Sequence, residues 1–299
     1  MSTAEADGRV VLVTGGAKGV GREVVRAFAR TGATVLVNYF HSREAAEALR
    51  AELAAQGCPI TLLRGSVARQ DQVDAMFDTI ARDVGRLDVL VNNAALGALR
   101  PLDELDERDW TRTFDTILKG SLWCSRRAAA LMPAGGAIVN LSSVGSPFVL
   151  DGYTAIGTAK AALESLTRYL AVEFAPAGIR VNTASGGLLD NAVAGLFPDA
   201  VRLRATVVGA TPLGRLGTEA ELAEVVRFLA SPGASWVTGQ CLVADGGLSL
   251  GHAMLSAGPP PPAGPDPGAT TRTAPGATTR TAPGATTRTA PGATTGTAP

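Results

Sequence analysis

Histidine occurs only twice in the 299 residues, at His41 and His252, too few for a histidine-rich metal site. Cysteine occurs three times, at Cys58, Cys124 and Cys241, far apart and with no CxxC pair. An odd, scattered set argues against a disulfide framework and fits a reducing, cytoplasmic compartment. Neither sign of charge is in excess, with 27 basic and 27 acidic residues. The clustered positive charge that binds a phosphate backbone is missing, so no nucleic-acid partner is expected. No uninterrupted apolar run reaches the roughly 18 residues that a bilayer-spanning helix needs. The opening MSTAEADGRV is acidic and polar, without the apolar run of a signal peptide. Lysine is also scarce: Lys18, Lys119 and Lys160 stand alone among the arginines, so each is informative.

What is present suffices for a core, since 46% of the residues are hydrophobic. The composition changes near Gly251. A proline-rich stretch follows, then three copies of PGATTRTA from residue 267 and one PGATTGTA. These repeats hold no large apolar side chain, and their regular prolines block a long helix. Residues 253–299 therefore read as a disordered tail, 8–252 as one folded domain, and 1–7 as a flexible start.

Within 8–252, short apolar runs alternate with helical patterns. Runs at 10–13, 34–38, 60–63, 89–91, 137–141, 179–183 and 240–243 read as strands. Helical stretches such as 22–31 and 43–56 lie between them. Continuous apolar strands separated by helices predict an α/β, doubly wound parallel sheet of the Rossmann type. The ligand crevice of such a sheet lies at the carboxyl ends of its strands.

The first strand runs into Thr14-Gly15-Gly16-Ala17-Lys18-Gly19-Val20-Gly21. Glycines between a strand and a helix let the backbone approach a pyrophosphate at the helix N-terminus, where N–H groups favour an anion. This TGxxxGxG spacing is followed by Asn92-Asn93-Ala94-Ala95, Ser142-Ser143, Gly178-Ile179-Arg180-Val181-Asn182 and Asp245-Gly246-Gly247. In that order, they resemble the motifs of the short-chain dehydrogenase/reductases across the whole of 8–252. The resemblance implies a nicotinamide cofactor held by Thr14, Gly15, Lys18, Gly19, Val20, Gly21, Tyr39, Ser42, Arg43, Ser66, Val67, Asn92, Ala94, Lys160, Gly186, Gly187 and Leu189. The second strand ends in Asn38-Tyr39, with no acid for the ribose hydroxyls, while Lys18 and Arg43 are cations nearby and His41 and Ser42 follow the strand. Cations there favour a 2′-phosphate, so NADPH is expected over NADH.

The catalytic signature departs from that family's common YxxxK, because Ile156 stands four residues before Lys160. The available phenol is Tyr153, which gives Tyr-x6-Lys. Seven residues return to nearly the same helix face but roughly 10 Å along the axis. Tyr153 must therefore sit at or before the helix start and lean back. Ser143 keeps the family's usual distance from Lys160. Tyr-x6-Lys, with NNAALGALRP at 92–101, the text at 153–173, ASGGLLD at 184–190 and TPLGR at 211–215, resembles the type III enoyl-acyl-carrier-protein reductases.

That resemblance implies reduction of the carbon–carbon double bond of a trans-2-enoyl thioester, on acyl-carrier protein or CoA, in fatty-acid or related acyl biosynthesis. It makes Tyr153, Lys160 and Ser143 catalytic and places Ala95, Leu96, Tyr153, Leu196 and Phe197 at the substrate. Residues 188–211 would form an apolar lid. It also implies a homo-oligomer, tetramer or dimer, and no metal. A 3-oxoacyl or other ketone reductase on the same scaffold is the alternative. Ile117, standing where the family carries an Asn that supports a water relay, also leaves open a nucleotide-binding protein without turnover. If the chain turns over, proton resupply must pass through Thr116, another group or water.

Overall fold

The computed structural model describes residues 8–132, 135–191, 195, 197 and 199–251. Leu196, His252 and the repeats, all named above, and Val193 within the expected lid lie outside the described residues. Seven parallel strands form one sheet in the order β3-β2-β1-β4-β5-β6-β7. They are β1 (Val10–Val13), β2 (Thr34–Tyr39), β3 (Ile60–Arg64), β4 (Val89–Asn92), β5 (Ala137–Ser143), β6 (Arg180–Gly186) and β7 (Cys241–Ala244). The main helices are α1 (Gly19–Ala29), α2 (Arg43–Ala55), α3 (Gln70–Asp83), α4 (Glu107–Phe114), α5 (Gly120–Ala129), α6 (Thr154–Phe174), α7 (Ala200–Ala210) and α8 (Glu219–Leu229). The doubly wound parallel sheet expected from the apolar runs is the one observed.

Alternation along each strand splits the core in two. Val11, Val13, Val35, Val37, Val89, Val91 and Val139 face one layer, packed on Val24, Val25 and Phe28 of α1, Leu49 and Leu53 of α2, and Val226 and Leu229 of α8. Leu12, Leu36, Leu90, Ile138 and Val181 face the other, packed on Phe77 and Ile80 of α3, Cys124 and Ala128 of α5, and Leu170 of α6. Both faces are covered, which is why the strands read as unbroken apolar runs rather than alternating ones. Each fully buried side chain of this size contributes about 1.5–3 kcal/mol.

Two sets of polar contacts serve this scaffold. Asp88 accepts a hydrogen bond from the Val10 amide at 2.7 Å and pairs with Arg86, so it aligns the start of β4 with β1. In the GIRVN stretch, Arg180 donates to the carbonyls of Leu229 and Ser231, and Asn182 to that of Val237. Those bonds fasten β6 to the chain between α8 and β7.

One helix boundary differs usefully from the sequence expectation. α1 begins at Gly19, three residues before the expected start at 22. Glycine is a poor helix former, so propensity placed the start too late. Tertiary packing favours the earlier one. A Cβ at Gly21 would stand 2.4 Å from the Asn93 amide nitrogen and 2.6 Å from the Gly15 carbonyl oxygen. The helix therefore starts inside the glycine loop, beside the point where β1 and β4 diverge and a crevice opens.

Candidate active site

The loops after β1, β4, β5 and β6 meet at the carboxyl edge of the sheet. They enclose a cavity of about 230 Å³, lined by Val20, Asn93, Ala95, Ser142, Ser143, Tyr153, Lys160, Gly186, Gly187, Leu189 and the apolar Leu188, Phe197, Leu203 and Val207. Ser143 ends β5, and β6 ends at Gly186, paired with it in register. The last strand residues thus deliver the site, as the parallel topology requires.

Lys160 is buried in the first half of α6, only 6% exposed. Its ammonium donates to the Leu141 carbonyl at 2.6 Å. Burial pushes its pKa down to about 8, and the charge of Glu164 one turn later opposes that fall. Tyr153 is the N-cap of α6, at φ −102° and ψ 8°, outside the helix proper. That is where the seven-residue spacing requires it. Its ring stacks on Phe197, with centroids 6.1 Å apart. Burial raises the phenol pKa, and a hydrogen bond with Ser143 acts in the opposite direction. The Ser143 hydroxyl also accepts from the Gly145 amide at 3.0 Å. Serine, phenol and ammonium therefore share one cavity wall.

The glycine loop is tied down from the β4 side. Thr14 is buried, and its hydroxyl accepts from the amides of Asn93 and Ala94. Asn93 donates to the carbonyls of Thr14 and Gly15, at 2.9 and 3.0 Å. Gly15 adopts φ +61°, and a Cβ there would stand 2.9 Å from Ala94 Cα. Asn38 completes the clamp by accepting the Gly15 amide on its side-chain oxygen and the Gly16 amide on its carbonyl, while its side-chain nitrogen donates to the carbonyls of Leu63 and Gly65. Asn93 is the residue sequence reasoning missed. Its signal was its place beside Asn92 in the same motif.

The side chains of several residues expected at the cofactor and substrate have intramolecular packing or hydrogen-bond partners. Asn92 turns its side chain into the core, donating to Ser125 and to Asn140 at 2.8 Å, because β4 alternation points it away from the crevice. Tyr39 packs in a small buried cluster with Ala17 and Ala46. Val67 is buried against Gly120, whose missing Cβ leaves it room. Ser66 uses its amide to bond Gln72. Leu96 is exposed and does not line the cavity, whereas Ala95 does. Val201 is also exposed, though Leu188, Leu189, Phe197 and Leu203 of the expected lid do face the cavity. Lys18, His41 and Arg43 are exposed around the end of β2, with Ser42 as the N-cap of α2.

Position 117 is resolved in physical terms. Asp115–Lys119 form a π-helical turn between α4 and α5. Ile117 is buried there with Ala159 and Leu163, and Ile156 packs against the same cluster. The Ile117 carbonyl accepts the Ser121 hydroxyl at 2.7 Å. Thr116 is spent on the Arg112 carbonyl at 2.8 Å. At position 117 itself the side chain is part of an apolar cluster and offers no hydrogen-bonding group.

These residues fit a nicotinamide dinucleotide. A buried ammonium faces the cavity, α1 presents its first-turn N–H groups at a glycine loop, and the end of β2 carries no acid. A doubly wound parallel sheet with this edge defines a dinucleotide-binding oxidoreductase. A family model described as "Enoyl-(Acyl carrier protein) reductase" matches residues 15–249. The chain is 38% identical over 244 residues to 1-cyclohexenylcarbonyl-CoA reductase of Streptomyces collinus, covering 81% of this chain and 87% of that protein. It is 36% identical over 241 residues to the 3-oxoacyl-[acyl-carrier-protein] reductase of Staphylococcus aureus strain Mu50, covering 80% and 97%. A blue fluorescent protein from a metagenomic library, solved in complex with NADPH, superposes with a TM-score of 0.76 at 32% identity, over 82% of this chain and 99% of that one. The chain belongs to the short-chain dehydrogenase/reductase family. Among the described residues, no helix is long and apolar enough to cross a membrane, and no group of side chains could hold a metal ion.

Proposed function

We propose that this enzyme reduces the carbon–carbon double bond of trans-2-enoyl thioesters, on acyl-carrier protein or CoA, with NADPH. The observation that carries the reading is the seat of Tyr153. The phenol reaches the cavity from the N-cap of α6, while an apolar isoleucine stands at 156. NADPH, when bound, supplies the hydride. As the substrate accepts it at Cβ, negative charge develops on the thioester oxygen. The Tyr153 hydroxyl donates to that oxygen and stabilises the enolate, which takes a solvent proton at Cα to complete the reduction. Lys160 holds the nicotinamide ribose, and its charge favours polarisation of the phenol. Ser143 orients Tyr153 through their hydrogen bond. Leu188, Leu189, Phe197 and Leu203 exclude water and suit an acyl chain.

The Streptomyces relative supports this reading, since its named substrate is an unsaturated acyl-CoA. The Staphylococcus relative supports the alternative, reduction of a 3-oxoacyl thioester. The exposed cations at the end of β2 support NADPH over NADH. Assembly into a homo-oligomer is part of the proposal. It is supported by exposed Tyr169 and Val172 on α6, and by Leu242 and Val243 on the edge strand β7.

The test follows loss of NADPH absorbance with crotonyl-CoA and acetoacetyl-CoA, for wild type and Tyr153→Phe. Turnover of crotonyl-CoA is expected, with kcat falling roughly 100-fold or more in the variant. Turnover of acetoacetyl-CoA alone would instead establish the ketone reductase.

A further inference from the structure

Two glycines outside every cofactor motif lie against the Tyr153 ring. A Cβ at Gly145 would stand 2.5 Å from Tyr153 Cε1 and 2.6 Å from Cδ1. A Cβ at Gly157 would stand 2.5 Å from the Gly145 carbonyl oxygen and 3.4 Å from Tyr153 Cδ1. Neither has the positive φ that demands glycine. The space alone requires the missing side chains.

The same two residues are bonded to the site. The Gly157 amide donates to the Tyr153 carbonyl at 2.7 Å, closing the first turn of α6. The Gly145 amide donates to the Ser143 hydroxyl, itself hydrogen-bonded to the phenol. Phe197 stacks on the ring as well. The alternative seat, one turn before Lys160, is closed. Ile156 fills it so tightly that a Cβ at Gly97 would stand 2.3 Å from Ile156 Cγ1.

We propose that Gly145 and Gly157 are positioning residues, forming a slot that seats the Tyr153 ring so that a phenol at the helix N-cap can serve the site of Lys160. The slot rests on the reading of Tyr153 as the reacting phenol. Filling it pushes the ring toward Phe197 and withdraws the hydroxyl from Ser143. Misplacement of a catalytic group by about 1 Å can cost 100-fold in rate, so a single methyl is a strong perturbation.

A double-mutant cycle tests this. Wild type, Gly145→Ala, Tyr153→Phe and the double variant are assayed with crotonyl-CoA and NADPH, alongside NADPH affinity and thermal melting. Gly145→Ala is expected to lower kcat at least tenfold and leave NADPH affinity within twofold. In the Tyr153→Phe background the same methyl is expected to change kcat by less than twofold, because no hydroxyl remains to misplace. Gly157→Ala reads the same question from the other wall, its Cβ meeting the Gly145 carbonyl oxygen at 2.5 Å, and the thermal melts report which variants fold. Equal losses in the Tyr and Phe backgrounds would overturn the slot and leave the phenol's role intact. Unchanged kcat in the folded glycine variants would overturn it too. Full activity of Tyr153→Phe would overturn the reading of Tyr153 itself, and the slot with it.

Discussion

Replacing Lys160 by methionine should make the cofactor-free protein more stable near neutral pH while removing its activity. The buried ammonium has a pKa of about 8, against 10.5 for an ordinary lysine. Between those values the unfolded chain binds the proton more tightly than the folded one. Folding is therefore opposed by the full charge-burial cost below pH 8, and that cost fades as pH rises toward 10.5. At about 1.4 kcal/mol per pKa unit, the cost near pH 7 is about 3 kcal/mol. Losing the hydrogen bond to the Leu141 carbonyl offsets about 1 kcal/mol of the gain. The expected net is about 2 kcal/mol in favour of Lys160→Met at pH 7. Between pH 7 and pH 9.5 the difference from wild type should shrink by about 2 kcal/mol, because only wild type sheds the buried charge. Urea unfolding of both proteins at the two pH values, without NADPH, measures this directly. A variant less stable than wild type at pH 7, or a difference that does not move with pH, would refute the account of Lys160 as a strained buried cation.

Three further predictions concern the scaffold. Asn140 links Asn92 to Thr167 by two hydrogen bonds of 2.8 Å in the core, so Asn140→Ala should cost about 2–3 kcal/mol in urea unfolding. Thr218 and Glu221 form a reciprocal capping box on α8, and Thr218→Ala should cost about 1 kcal/mol. The Arg215 guanidinium, then Thr218, holds the Glu221 carboxyl down to about 2, so its contribution is present above the ordinary carboxylate range and lost as pH falls toward 2. An acid-unfolding midpoint that is the same in wild type and Glu221→Gln would contradict it.

Much of the architecture was legible because it depends on local pattern. Every apolar run marked as a strand is a strand, with ends shifted by a few residues at most. Glycine placement was harder to read. Gly19 and Gly21 lower helix propensity, yet they open α1, because the loop they form is packed on Asn93. Adjacent residues of one motif also have opposite fates. Asn92 supports the core and Asn93 clamps the loop, since successive positions at the end of a strand point to different sides. A motif match names both residues and does not say which one faces the crevice.

The sequence by itself determined the parallel sheet, the order of the motifs and the displacement of the phenol from 156 to 153. These follow from periodicity, spacing and residue identity, which are properties of the chain read in order. Only the tertiary structure decided how Tyr153 is seated, that Ile117 and Ile156 share one apolar cluster, and that Lys160 is strained by burial. Each of these depends on contacts between segments distant in sequence. Packing space and desolvation come from those contacts, and no local pattern encodes them.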